Sequence, residues 1–269
     1  MKEIVLPTER TKVLNFNPKL LILFGLPKSG KSSCVASLND NLIIDLENGY
    51  RALSVMKVDV ADIYDIYAVK AALEKKKAET CKFPYRFITI DNATRLEEMS
   101  LIYAASLYRK TSMGQGWGYI RDKNNNIVRK DGKPVVDPKA DVRLLPNGSG
   151  YLYLRNALKE IVHMFLPLCE TLILVCHVKD KQIQMNGEES SKLVVDLAGK
   201  MSDIICGEAD AVGFIYREAN KTIISFEGGA GHIREARPLH LRGKSFVVGE
   251  SDADNNLKMD MSKIFLNNE

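Results

Sequence analysis

The stretch Leu20-Leu-Ile-Leu-Phe-Gly25-Leu26-Pro27-Lys28-Ser29-Gly30-Lys31-Ser32-Ser33 runs from an apolar strand through a glycine-bounded loop into a helix-compatible segment. Its second half matches the phosphate-binding pattern G-x-x-x-x-G-K-[ST]. Gly25 and Gly30 let the backbone curl with its N–H groups turned inward, because no Cβ obstructs the turn. The helix opening near Lys31 adds its positive end. Gly25, Leu26, Pro27, Lys28, Ser29, Gly30, Lys31, Ser32 and Ser33 are therefore candidates to hold a nucleoside triphosphate. In that role Lys31 reaches the β- and γ-phosphates and the Ser32 hydroxyl ligates Mg²⁺. Lys31 is expected to be a largely exposed loop side chain, whose loss removes a phosphate contact and little packing.

Outward from this loop, short apolar runs alternate with amphipathic stretches, the pattern of a mostly parallel sheet flanked by helices. Strands are expected at residues 20–24, 41–46, 86–90, 171–176, 209–216 and 222–226, and helices at 31–39, 69–78, 93–109 and 151–166. The first four strands are nearly all apolar, as burial on both faces requires. Three of them end in polar residues. Phe87-Ile-Thr-Ile-Asp91 ends in a carboxylate suited to the metal side of a phosphate site, although Asp91-Asn92-Ala93-Thr94 also reads as a helix start. Asn41-Leu-Ile-Ile-Asp45-Leu46-Glu47 ends in two acids that strand alternation puts on one side. Glu47 can there direct and deprotonate water, with Asp45 in support; the alternative is a solvated Glu47-Asn48-Gly49 turn. Thr171-Leu-Ile-Leu-Val-Cys-His177 ends in a residue able to touch a γ-phosphate and report its presence. Lys179, Lys181, Lys200 and Arg217 are candidate cations for a finger acting across a subunit interface.

Residues 110–150 break the rhythm. The alternation around Asn124–Asn126 and Asp131-Gly132 predicts an exposed hairpin insertion. Arg109, Lys110, Trp117, Tyr119, Arg121, Lys123, Arg129, Lys130 and Lys133 interleave cations with aromatics, which suits backbone contacts and base stacking on nucleic acid as well as a merely solvated insertion. After residue 209 the turn signals at Gly228-Gly229 and Arg242-Gly243 predict antiparallel strands added at one edge of the sheet. One domain spanning residues 1–269 is the expected organisation. A net charge of +4 creates no global field demanding nucleic acid, so any such contact rests on a local face. Cys34, Cys81, Cys169, Cys176 and Cys206 are widely spaced and lack a C-x-x-C pair, which argues against disulfides and zinc and for a reducing cytoplasm. No apolar run approaches bilayer-spanning length, so no membrane association is expected.

The order of these motifs resembles the RecA-like ATPases, and most the small phage-encoded RecA/RadA-type ATPases linked to single-strand annealing and recombination. The residues carrying it are the Gly25–Ser32 loop, Ile44-Asp45-Leu-Glu47, Ile88-Thr-Ile-Asp91 and Leu174-Val-Cys-His177. The likeness spans roughly residues 19–217. It implies a RecA-like P-loop core that binds and hydrolyses ATP with Mg²⁺, with Glu47 activating water, Asp91 on the Mg²⁺ side and His177 sensing the γ-phosphate. RecA itself carries glutamine at the sensor position and larger accessory domains, which are missing here. The resemblance further implies single-stranded DNA as partner, assembly into a homo-oligomeric ring or filament, and a single-strand-binding protein as a further partner. Residues 110–150 and 181–192 would be the DNA-facing segments. Two rival functions share the loop: a nucleotide or small-molecule kinase, and a nucleotide-switched loading or binding module.

Overall fold

A computed structural model describes residues 6, 8–10, 12, 14–185, 188–229, 233–254 and 256–266, without the side chains of 183–190. In chain order the strands are β1 (Leu20–Phe24), β2 (Asn41–Asp45), β3 (Met56–Asp59), β4 (Phe87–Asp91), β5 (Arg129–Lys130), β6 (Lys133–Pro134), β7 (Thr171–Cys176), β8 (Val178–Met185), β9 (Glu188–Val195), β10 (Ala211–Glu218), β11 (Lys221–Ser225), β12 (Glu235–Ala236), β13 (Ser245–Ser251) and β14 (Leu257–Met259). The helices are α1 (Lys31–Ala36), α2 (Ile63–Thr80), α3 (Ala93–Arg109), α4 (Gly150–Phe165) and α5 (Met201–Glu208).

The main sheet runs β14-β13-β11-β10-β1-β7-β4-β2-β3, with β12 also on β10. From β3 to β10 every pairing is parallel; β11, β12, β13 and β14 join antiparallel. This is the α/β architecture of the RecA-like class, edge strands included. The apolar runs follow from burial on both faces. In β7, Leu172, Leu174 and Cys176 enter one core with Ile66 of α2, Leu96 of α3, Ile161 and Phe165 of α4 and Met201 of α5. Ile173 and Val175 enter a second core with Cys34 and Val35 of α1 and with Ile264 and Phe265 near the carboxyl end. All five cysteines are free.

Several elements differ from expectation. Helix α1 ends at Ala36 rather than residue 39, and α2 starts six residues earlier than the periodicity indicates. The Asp62 side chain, accepting the Tyr64 and Asp65 N–H groups, sets that start. Strand β3, helix α5 and the β8–β9 hairpin have no counterpart in the expected elements. Residues 181–192, expected as a loop, lie mostly in that hairpin, where Val178 pairs with Val195; Asn186, Gly187 and the side chains of 183–190 lie outside the described residues.

The insertion holds the expected hairpin as β5–β6, turned by Asp131 and Gly132, both at positive φ. Its base packs on α3 and α4. Trp117 meets Tyr108 edge to face at 5.3 Å, and Tyr108 lies 5.1 Å from Tyr153. Val142 and Leu145 are buried with Ala104, Ala105, Leu154 and Ala157. Among the described residues no helix is long and apolar enough to cross a membrane.

Candidate active site

The parallel registers put functional side chains at one level. Asp45 on β2 lies opposite Asp91 on β4, Asp91 opposite Val175 on β7, and Phe24 on β1 opposite Cys176. The next residues, Gly25 and His177, therefore leave the sheet side by side at the carboxyl ends of the strands, where open α/β sheets bind ligands. A cavity of about 380 Å³ opens there, lined by the Pro27–Ser33 region, Asp45, Glu47, Tyr50, Asp91, His177 and Arg217.

The loop glycines are sterically required. A Cβ on Gly25 would stand 2.3 Å from the carbonyl oxygen of Ile215, and Gly30 holds φ +100° at the start of α1. The first N–H groups of α1 have no partners within the helix, and the residues that carry them, Lys31, Ser32 and Ser33, line the cavity. Lys31 departs from the expected exposed side chain. It is 8% exposed, and its Nζ donates to the carbonyls of Gly25 (2.7 Å) and Leu26 (2.8 Å). The ammonium therefore braces the loop, and burial lowers its proton affinity while Asp91 opposes that shift. The buried Ser29 hydroxyl has no partner in the loop.

Asp91 is not the helix cap. That role falls to Asn92, whose Oδ1 accepts the Arg95 N–H at 2.8 Å. Asp91 Oδ2 instead accepts from Ser32 Oγ (3.2 Å) and from the Tyr50 hydroxyl (2.5 Å). Burial pushes its carboxyl above the ordinary aspartate range, an effect that these two hydrogen bonds offset only in part. The Tyr50 phenol is raised as well, by burial and by Asp91, so it stays a donor.

Asp45 and Glu47 do not share a strand face, because β2 ends at Asp45. The chain turns there, and buried Asp45 Oδ1 accepts the N–H groups of Glu47 and Gly49, each at 3.2 Å. Its other oxygen faces Lys57 at 3.4 Å. Asp45 therefore shapes the turn, and Glu47, with its side chain 46% exposed, projects into the cavity, Oε1 3.6 Å from His177 Nε2. Glu47 is thus a turn residue whose side chain faces the cavity. Asn92 Nδ2 lies 2.9 Å from the same His177 nitrogen. With Oδ1 committed to Arg95, Nδ2 is the donor and His177 Nε2 the acceptor, which leaves the ring proton on Nδ1.

Tyr50 and Asn92 were invisible as site residues in the sequence. Tyr50 follows a turn and carries no motif, whereas Asn92 was signalled only as part of a helix start. Of the candidate fingers, Lys179 pairs with Asp196 (3.3 Å) and Lys181 with Asp203 (3.1 Å). Arg217 lines the cavity of its own chain.

A loop that can wrap phosphate and a row of carboxylates at the mouth of a parallel sheet make this a P-loop ATPase. The chain belongs to the AAA domain family, whose match spans residues 17–237. Among solved structures it is similar to a KaiC-like protein from the hyperthermophilic archaeon Pyrococcus horikoshii OT3. That likeness has a TM-score of 0.40 at 10% identity, covering 91% of this chain and 90% of that one. An ATPase from the type III secretion system of pathogenic bacteria gives a TM-score of 0.37 at 11% identity, covering 81% of this chain and 65% of the other. No curated protein matches the chain.

Proposed function

We propose that this ATPase couples ATP hydrolysis to an action on single-stranded DNA, in recombination, annealing or replication, as the small phage-encoded RecA/RadA-type ATPases do. Lys31 and the loop amides hold the phosphates, Glu47 directs water, and His177 senses the γ-phosphate. Ser32 and Asp91 would hold Mg²⁺. Among the described residues no cluster of three or more acidic, histidine or cysteine side chains could cage a metal. Mg²⁺ needs no cage, because it keeps waters and takes phosphate oxygens beside one or two protein ligands. When bound, it would neutralise charge developing on the phosphates.

The observation that carries the coupling is the place of His177. It touches Asn92 and Glu47 in the cavity, and the next residue begins the β8–β9 hairpin. A shift of that ring on loss of the γ-phosphate therefore moves the root of a hairpin built from β8 and β9. Homo-oligomeric assembly as a ring or filament, and contact with a single-strand-binding protein, belong to the same proposal. So does the extent of the folded unit over residues 1–269.

Turnover of ATP without any acceptor, measured with and without single-stranded DNA, tests the reading. Stimulation by DNA is the expected result. Turnover only with a small-molecule acceptor would make the protein a kinase. Slow, DNA-insensitive turnover with nucleotide-dependent capture of a protein partner would make it a switched loading module.

A further inference from the structure

We infer that Arg217 is a phosphate-binding cation that serves the nucleotide site of its own chain, an assignment that rests on the ATPase reading. The strand order sets the loop between two unlike flanks. On one side, β4 and β2 end in Asp91 and Asp45, His177 directly follows β7, and Glu47 lies just beyond β2. On the other side β1 is paired with β10, with the antiparallel edge strands beyond it, and the cavity residue β10 contributes is Arg217. Three carboxylates therefore face one flank of a bound phosphate chain, and one guanidinium faces the other. Phosphate oxygens turned away from the carboxylates and their metal need such a counter-charge, and arginine meets them with a planar fork of donors.

The position is built in rather than incidental. Strand β10 abuts both ends of the loop. The carbonyl of Ile215 lies 2.3 Å from where a Cβ on Gly25 would stand, and Arg217 Nε lies 3.9 Å from the equivalent point on Gly30. Thr222, paired with Arg217 on β11, is buried and fills the space beside Gly30 at 3.2 Å. Arg217 itself is exposed and forms no ion pair among the described residues, so its charge is not already committed. Of the cations expected as candidate fingers across a subunit interface, Arg217 thereby acts in cis.

Titration with a fluorescent N-methylanthraniloyl ATP in Mg²⁺ buffer reads the effect directly. Arg217→Ala weakens binding about tenfold or more, the size expected for one charge-assisted contact, and Arg217→Lys recovers part of it. Because Arg217 is exposed, both variants keep the parental melting temperature without nucleotide. A second arm mixes Arg217→Ala with Lys31→Ala protein. Each chain then has one intact half of the site, and in cis supply leaves the mixture turning over ATP no faster than its Arg217→Ala component alone at the same sub-saturating ATP. Parental affinity in Arg217→Ala overturns the assignment, as does recovery of ATP turnover in the mixture, which would mean supply in trans. Failure of the parent itself to bind the analogue would instead overturn the ATPase reading.

Discussion

Asp91 is held as a buried carboxylate whose ionised form the fold disfavours, with Tyr50 and Ser32 as partial compensation. The sign of the pH effect follows. A carboxyl with a raised folded-state pKa binds its proton more tightly in the native than in the unfolded protein. Its ionisation therefore costs stability above that pKa, and the cost vanishes as pH falls toward the ordinary value of 3.8. Asp91→Asn keeps the acceptor and discards the charge. It should melt at or above the parental temperature at neutral pH, with the gap closing as the medium is acidified, while Mg²⁺-dependent turnover is lost. Calorimetry across pH checks this; a gap that widens in acid would refute the account. Tyr50→Phe removes a donor to the same buried oxygen, which costs about 1.5–3 kcal/mol where the acceptor is charged. Chemical denaturation should show that loss, and a Mg²⁺ titration should show a raised requirement. Glu47 is a milder case, since its exposed side chain carries no packing. Glu47→Gln should leave nucleotide affinity and melting unchanged and slow hydrolysis by about a hundredfold to ten-thousandfold, the range for loss of a general base.

Elements differ in how openly the sequence declares them, and the difference is one of burial. Strands β1, β2, β4 and β7 are covered on both faces, so their apolar runs stand out. Strand β3 is a half-exposed edge reading Met-Lys-Val-Asp, and the β8–β9 hairpin pairs mainly with itself, so neither is forced to be apolar. The site divides the same way. Gly25, Lys31, Ser32 and Asp91 sit in a local pattern, whereas Tyr50 and the cis placement of Arg217 arise from strand order, which no local spacing encodes. Alternation misled at Glu47 because Asp45 closes a side-chain turn that ends the strand. In the insertion, the base-stacking candidate Trp117 also holds the element down. Trp117 packs on Tyr108, and Arg109 donates to its carbonyl at 3.0 Å while stacking on Tyr119. Trp117→Ala should therefore lower stability by about 1–3 kcal/mol, less than a fully buried aromatic costs. An unchanged melting temperature together with weakened DNA binding would return Trp117 to the stacking role.

At the scale of the whole molecule, charge distribution decides how a partner carrying many phosphates is met. With a net charge of only +4, distant steering is weak, and binding must draw on cations grouped on one face. The insertion offers such a group beyond its packed base. Lys123 and Lys130 are exposed, and Arg121, which donates to the carbonyls of Asn125 and Gly116, and Arg129, which donates to that of Gly132, keep their charge in solvent. Among the described residues no carboxylate pairs with them, unlike Lys179 and Lys181 on the β8–β9 hairpin. If this face meets single-stranded DNA, each neutralised phosphate releases counterions, so affinity falls steeply with salt. Replacing Arg121, Lys123, Arg129 and Lys130 together by alanine should weaken binding and flatten the logarithmic salt slope by about 0.7 for every phosphate that is no longer neutralised. Basal ATP turnover should survive, because none of the four lines the nucleotide cavity. Stability should survive as well, which separates this variant from Trp117→Ala. Fluorescence anisotropy of a labelled oligonucleotide across a salt series makes the measurement. An unchanged slope would move the DNA-binding face to the β8–β9 hairpin, where the coupling through His177 would then act on that face itself.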